Sequence, residues 1–310
     1  MGLYGALPAR FRRERVLIIG CGDVGVRTTR VLGAGRRIGL LALTSSPSRL
    51  DALRSHGVVP LLGDLDDPRS LRRLSGIATR ILHLAPPPSE GGGDGTRDPR
   101  TRHLTWALAR RTPPAQLVYG STTGVYGDCA GAWVAETRPV DPSTPRARRR
   151  VDAEQMLRQW GRRHRVGVTL LRIPGIYAAD RAGGPRERLL RGTPVLAPAD
   201  DVYTNHIHAD DLARACARAL WHKAPQRVFN VSDHTELKMG DYFDLAAGLY
   251  GLPRPERVAR AHAAERLSPM TLSFMSESRR IDNRRMTAEL RLRLRLRYPT
   301  VREGLEQMGR

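Results

Sequence analysis

Through the first three quarters of the chain, short runs of β-branched and apolar residues alternate with segments of helical character. The runs are RVLIIG (15–20), IGLLALT (38–44), VVPLLGD (58–64), RILHLA (80–85), QLVYGS (116–121), VGVTLLRIP (166–174) and RVFNVS (227–232). Helical segments are expected between them at 24–32, 47–56, 68–74, 102–111, 151–163 and 209–221. Such alternation predicts an α/β fold whose parallel sheet is built from βαβ units. Residues 180–196 and most of the stretch after His234 fall outside it. They are assigned to a smaller C-terminal subdomain over the carboxyl ends of the strands, where ligands of such sheets bind. The expected boundaries are 14–175 for the core, with 204–232 completing the sheet, and 176–203 plus 233–310 for the subdomain. PPPSEGGGDGTRDPR (86–100) reads as a mobile surface loop bordering the cleft. RLRLRLR (291–297) reads as a two-faced extended segment that buries Leu292, Leu294 and Leu296.

The strongest local motif is RVLIIGCGDVGVR, a strand followed by Gly20, Gly22 and Gly25 in GxGxxG spacing and then a helix start at Asp23 and Val24. Such glycines permit a tight turn and a close approach of backbone to a pyrophosphate, and the helix N-terminus offers free N–H groups to the anion. The motif predicts a dinucleotide-binding Rossmann-type, doubly wound sheet. An NAD site usually ends its second strand on Asp or Glu. Here Thr44, Ser45, Ser46 and Arg49 stand there, hydroxyls and a guanidinium suited to a 2′-phosphate, so NADP(H) is expected over NAD(H). The competing reading has the hydroxyls cap the helix that starts at Pro47.

The chain has 310 residues and 40% apolar content, which excludes a peptide, a collagen or a disordered tail. No run approaches the roughly 18 apolar residues of a membrane-spanning helix, so no membrane partner is expected. Cys21, Cys129 and Cys216 are odd in number and widely spaced, which implies a reducing compartment and no metal. The opening MGLYGALPARFRRER has no apolar signal core, so the expected location is cytoplasmic. Net charge is +21, and Lys223 and Lys238 are the only lysines among 52 basic residues. A nucleic-acid surface would gather this charge into one stripe with interleaved aromatics. Here arginine is spread through every segment and aromatics are 5%, so the charge reads as a compositional bias that favours anionic ligands. The expected partners are a dinucleotide and a small-molecule substrate.

LLGDLDD, HLAPP, YGSTTGVYGD, LLRIPGIY, NHIHADDLARA, RVFNVSD and SRRIDNRRMTAEL follow one another along nearly the whole chain. In order and spacing they resemble the landmarks of extended short-chain dehydrogenase/reductases, specifically the NAD(P)-dependent epimerase/dehydratase group. The resemblance implies an oxidoreductase or epimerase acting on a carbonyl, hydroxyl or sugar-nucleotide-like substrate. It places Asp64 and Leu65 at the adenine, and Leu84, Ala85 and Pro86 along the ribose and nicotinamide. Thr122, four residues before Tyr126 of the VYG motif, takes the position of the Ser or Thr that hydrogen-bonds the substrate.

The catalytic pair departs from the family. Aligned on Glu154, the Tyr of YxxxK becomes Arg146 and the Lys becomes Arg150. Arginine stays protonated and cannot take up a proton. Arg150 can still donate to the nicotinamide ribose. Either Tyr126, Tyr177 or His83 supplies the proton from another wall, or the fold binds a dinucleotide without redox chemistry, as a sensor or scaffold. Each of the three also reads as a packed structural residue. His206 and His208 precede Asp210 and Asp211; the resemblance places this segment at a strand-to-helix junction, where Asp210 or Asp211 is expected to cap the helix rather than to join a metal site. Arg146, Arg148, Arg149 and Arg150 on a helix through which relatives pair would repel across a two-fold axis, leaving monomer and homodimer both open.

Overall fold

The computed structural model describes residues 14–34, 38–89, 95–181, 183–290 and 296–306. Seven strands form one parallel sheet: β1 (Arg15–Ile19), β2 (Gly39–Thr44), β3 (Val59–Leu62), β4 (Arg80–His83), β5 (Gln116–Thr122), β6 (Gly167–Ile173) and β7 (Arg227–Asn230). Their spatial order is β3-β2-β1-β4-β5-β6-β7. The order reverses between β1 and β4, and a crevice opens there at the carboxyl ends of the strands.

Alternation within each strand divides the apolar residues between two cores. Val16 and Ile18 of β1, with Leu171 and Ile173 of β6, face α1 (Asp23–Gly33), α2 (Leu50–Ser55) and α6 (Ala209–Ala219). Leu17 and Ile19, with Val168 and Leu170, face α3 (Pro99–Leu108) and α4 (Pro145–His164). This is the doubly wound α/β arrangement the pattern predicts, and every core strand lies within two residues of its predicted span. Truncating any of these fully buried aliphatics to Ala would cost about 2–5 kcal/mol.

Two helix starts differ from expectation. Helix α3 begins at Pro99, inside the predicted 86–100 loop, because the Asp98 carboxylate accepts from the Thr101 N–H. Helix α4 begins at Pro145 rather than 151, because Thr144 caps it and Pro suits its first turn. Arg146 to Arg150 therefore lie on a helix. Residues 90–94 of the loop lie outside the described residues, as do Leu292 and Leu294, while Leu296 is buried against the sheet.

A third core joins Tyr177, Leu189, Val195, Tyr242, Phe243, Met275 and Leu305 around α5 (Pro185–Leu190) and α7 (Met239–Tyr250). The chain then returns to the sheet. Arg280–Ile281 pairs with Trp133–Val134, and Met286 and Leu290 enter the core of the α1 face. Among the described residues, no helix is long and apolar enough to cross a membrane.

Candidate functional site

The turn after β1 sets the geometry of the crevice. Gly20 has φ +80°, and a Cβ there would sit 2.4 Å from the Ala85 nitrogen, so only glycine fits. A Cβ on Gly22 would meet nothing within 4 Å. The open space lies at the start of α1, whose N-cap Gly22 makes no side-chain hydrogen bond. A pyrophosphate fits this cradle, and the first amides of α1 suit its charge.

Two cavities flank the cradle. One, of about 180 Å³, is lined by Gly20, Cys21, Thr44, Ser45, Arg49, Asp64, Leu65, Ala85 and Arg100. Its chemistry and position fit an adenosine. Arg49 donates to the Cys21 carbonyl at 2.8 Å. Ser46 does not line it and contacts Ser48 Oγ at 2.8 Å. The helix-cap reading fails for the hydroxyls, since Ser46 makes no side-chain cap hydrogen bond to the turn at Pro47. The other cavity, of about 320 Å³, is lined by Gly20, Gly22, Asp23, Val24, Gly25, Leu84, Ser121, Thr122, Arg150 and Arg181 among others. Exposed Pro86 lines neither, and its carbonyl accepts from Arg100 at 3.2 Å.

A third cavity of about 400 Å³ opens between the sheet and the third core. It shares Thr122, Pro174, Ile176 and Arg181 with the 320 Å³ groove. Thr122 stands where the two meet. Its Oγ1 accepts from the Gly124 N–H at 3.2 Å, which leaves the hydroxyl proton free to be donated. One helical turn apart on α4, Arg150 lines the groove and Arg146 lines the cleft. Arg150 Nη1 donates to the Tyr119 hydroxyl at 3.0 Å and the Gly120 carbonyl at 2.7 Å. Burial pushes the Tyr119 hydroxyl up to about 12, so it remains a neutral anchor.

Beneath the groove, Ser121 Oγ donates to the Glu154 carboxylate at 2.6 Å, and Arg172 pairs with Glu154 at 2.8 Å. Both charged side chains are nearly fully buried. This triad fixes α4 to β5 and β6, and hence the depth of Arg150.

The other proton-donor candidates are elsewhere. Tyr126 is 1% exposed, donates to Asn230 Oδ1 at 2.7 Å and lines none of these cavities. This placement fits the packed reading of Tyr126 rather than the catalytic one. Tyr177 is buried, with its hydroxyl toward the Thr300 carbonyl and Asp233. His83 bonds Thr101, and burial lowers its pKa to about 3, so it stays neutral. The cap of α6 is the His208 ring, whose Nδ1 accepts from the Asp210 N–H; neither Asp210 nor Asp211 caps it. Asp210 instead binds Arg27, while Asp211 accepts from the Arg297 and Tyr298 amides. No metal-binding group of three occurs among the described residues.

Sequence reading missed Arg100, Arg181 and Arg188. Arg100 is held by Asp66 at 2.6 Å and Arg181 by Asp23 at 2.7 Å. Arginine is so frequent here that nothing in the sequence marks these three. The α4 repulsion argument also changes: Arg149 turns inward to the Gly95 and Ser89 carbonyls, and Arg146 and Arg150 face the cavities. Arg148 alone of the four neither lines a cavity nor is buried.

Solved structures share this fold. A functionally unknown conserved protein from Silicibacter pomeroyi DSS matches with TM-score 0.78 and 31% identity, over 95% of this chain and 98% of that one. UDP-glucose 4-epimerase from Thermotoga maritima, with UDP-glucose, matches with TM-score 0.75 at 18% identity, over 95% and 97%. UDP-glucuronic acid 4-epimerase from Bacillus cereus, in complex with NAD, matches with TM-score 0.71 at 17% identity, over 96% and 100%. Among curated proteins, UDP-glucose 4-epimerase of Azospirillum brasilense is 30% identical over 129 residues, which is 34% of this chain and 37% of that protein's length. The profile of the NAD dependent epimerase/dehydratase family matches residues 16–232. With more than half of its length matched to that profile, the chain belongs to the NAD-dependent epimerase/dehydratase family.

Proposed function

We propose that the protein is a dinucleotide-dependent oxidoreductase or epimerase that acts on a carbonyl or hydroxyl substrate held at Thr122, with NADP(H) preferred over NAD(H). The observation that carries this reading is the shared wall: the dinucleotide groove and the 400 Å³ cleft meet at Thr122. A cofactor-binding scaffold has no need of a second cavity opening onto the nicotinamide end. Arg49, Ser45 and Thr44 at the adenosine cavity favour a 2′-phosphate, since no carboxylate stands at the end of β2 to accept from a ribose hydroxyl. The nicotinamide supplies or accepts a hydride when bound.

The side chains of this chain supply the rest. Thr122 donates to the substrate oxygen. Arg150, fixed by Tyr119 and Gly120, presents the remainder of its guanidinium to the groove. Arg146 faces the cleft as a permanent cation that stabilises charge developing on the substrate oxygen. Neither arginine exchanges a proton, so the proton comes from solvent.

A second reading, a sensor that binds dinucleotide without turnover, is favoured by these same two arginines in place of Tyr and Lys. Titration of the purified protein with NADPH and NADH, then turnover against carbonyl compounds and nucleotide sugars, decides between them. Binding of NADPH with turnover that falls about 10²-fold in Thr122→Ala is expected. Binding without turnover of any substrate establishes the sensor, and failure of both dinucleotides to bind refutes both readings.

A further inference from the structure

The cradle after β1 carries a charge that a pyrophosphate would oppose. Asp23 follows directly on Gly22 as the first residue of α1, and among the described residues it is the sole carboxylate lining the 320 Å³ groove. A carboxylate in a first turn suits the helix dipole, but a second anion at the same amides meets it as a like charge. Two arginines answer that charge. Buried Arg27, one turn along α1, donates from Nε to Asp23 Oδ1 at 2.9 Å, and Arg181 donates from Nη1 to Asp23 Oδ2 at 2.7 Å.

The two arginines are not equivalent. Arg27 is already surrounded, since its Nη1 and Nη2 donate to Asp210 and Asp180. Arg181 gives one nitrogen to Asp23, and its Nε and Nη2 meet no acceptor among the described residues. Its side chain is 32% exposed and lines the groove, so those donors are open to a ligand there. The segment that carries it, between β6 and α5, is anchored on both sides of the groove. Gly175–Tyr177 pairs with His206–His208 ahead of α6, and Asp180 then binds Arg27 of α1. The other arginine lining the groove, Arg150, is tied to Tyr119 and Gly120 of β5, whereas Arg181 is tied to the glycine turn.

We propose that Arg181 is a pyrophosphate-binding residue: it offsets the charge of Asp23 and donates its remaining nitrogens to the phosphate oxygens. A guanidinium is a donor only, and its fork can serve two anions at once, one on each edge. The assignment rests on the dinucleotide reading, which the oxidoreductase and the sensor share. Arg181 also lines the cleft, so an occupied cradle fixes one wall of the substrate site.

Calorimetric titration of the full chain with two fragments of NADPH tests this. 2′-Phospho-ADP-ribose carries the pyrophosphate, and adenosine 2′-monophosphate lacks it. Arg181→Gln should weaken the first at least ten-fold and the second less than two-fold, the intact second titration showing that the variant is folded. Adding Asp23→Asn to Arg181→Gln should recover at least three-fold of that loss, because the carboxylate left facing the pyrophosphate is gone. Arg30→Gln removes an exposed charge from the same helix and should stay within two-fold for both fragments, which accounts for the general field of the protein. Wild-type affinity of Arg181→Gln for 2′-phospho-ADP-ribose, or equal losses for the two fragments, overturns the proposal and leaves the dinucleotide reading standing. No recovery on adding Asp23→Asn overturns the offset of its charge. Should the wild type bind NADH in preference, ADP-ribose and adenosine replace the two fragments with the same expectations. Failure of the wild type to bind either dinucleotide refutes the dinucleotide reading and the proposal with it.

Discussion

Gly20 and Gly22 stand two residues apart in one turn, and the structure gives them opposite consequences when a methyl group is added. At Gly20 the new Cβ would lie 2.4 Å from the Ala85 nitrogen and 2.6 Å from its Cα, on backbone with φ +80°. The left-handed conformation costs about 1–2 kcal/mol for an L-residue, and forcing backbone apart adds about 1–3 kcal/mol. Gly20→Ala should therefore destabilise by about 2–5 kcal/mol. At Gly22 the same methyl meets nothing within 4 Å, and the backbone is extended at φ −78°. Gly22→Ala should leave stability within about 1 kcal/mol of wild type. It fills the space a pyrophosphate would enter, however, and a lost hydrogen bond to a charged group is worth about 1.5–3 kcal/mol. The dissociation constant for NADPH should rise roughly 10- to 150-fold. Urea unfolding and fluorescence titration of NADPH read the two effects separately. Wild-type affinity in Gly22→Ala would refute the placement of the pyrophosphate, and wild-type stability in Gly20→Ala would refute the turn.

Three further outcomes are expected. Arg49→Ala should weaken NADPH at least ten-fold while NADH changes less than three-fold, measured by the same titration; equal losses would remove the 2′-phosphate assignment. Glu154→Gln strands Arg172 as a buried unpaired cation and should cost about 3–5 kcal/mol in urea unfolding; a loss below 1 kcal/mol would show that the triad does not hold α4. Burial pushes Asp233 up to about 7, so the native state keeps a proton that the unfolded chain has released. Its contribution to stability is full below about pH 4 and is lost as pH rises through 7, a change of about 4 kcal/mol. Unfolding free energies at pH 4 and pH 8 for wild type and Asp233→Asn should diverge by that amount, and parallel profiles would contradict it.

The central sheet was legible because its strands are apolar runs bounded by turn residues, and burial on both faces leaves little room for another reading. Helix α4 was misplaced by six residues at its start, since PRARRR resembles a solvated loop by charge alone. Thr144 followed by Pro145 was the available signal: a capping hydroxyl before a first-turn proline. The cradle glycines follow from local spacing, whereas Thr122 is singled out only by the family resemblance. Arg100, Arg181 and Arg188 were not readable, because their roles follow from which carboxylate or ring lies opposite in space. The partner of Tyr126 was not readable either: Asn230, distant in sequence, accepts from its hydroxyl and keeps it in the core.

A chain with so many arginines has to settle most of that charge internally, and it does so in distinguishable ways. Arg27 is surrounded by Asp23, Asp180 and Asp210, and Arg257 by Asp201 and Asp244. Arg149 and Arg150 are tied to backbone carbonyls. At the cleft, Arg146 and Arg188 lie over aromatic rings, which hold the two guanidiniums without cancelling their charge. On the reading proposed above, Arg146 takes the family's Tyr position, which then loses a group that exchanges protons and gains one that can stabilise an anion. An enzyme so altered would trade acid–base assistance for charge stabilisation next to Thr122, and its rate should then depend on the charge of the substrate more than on pH across the neutral range.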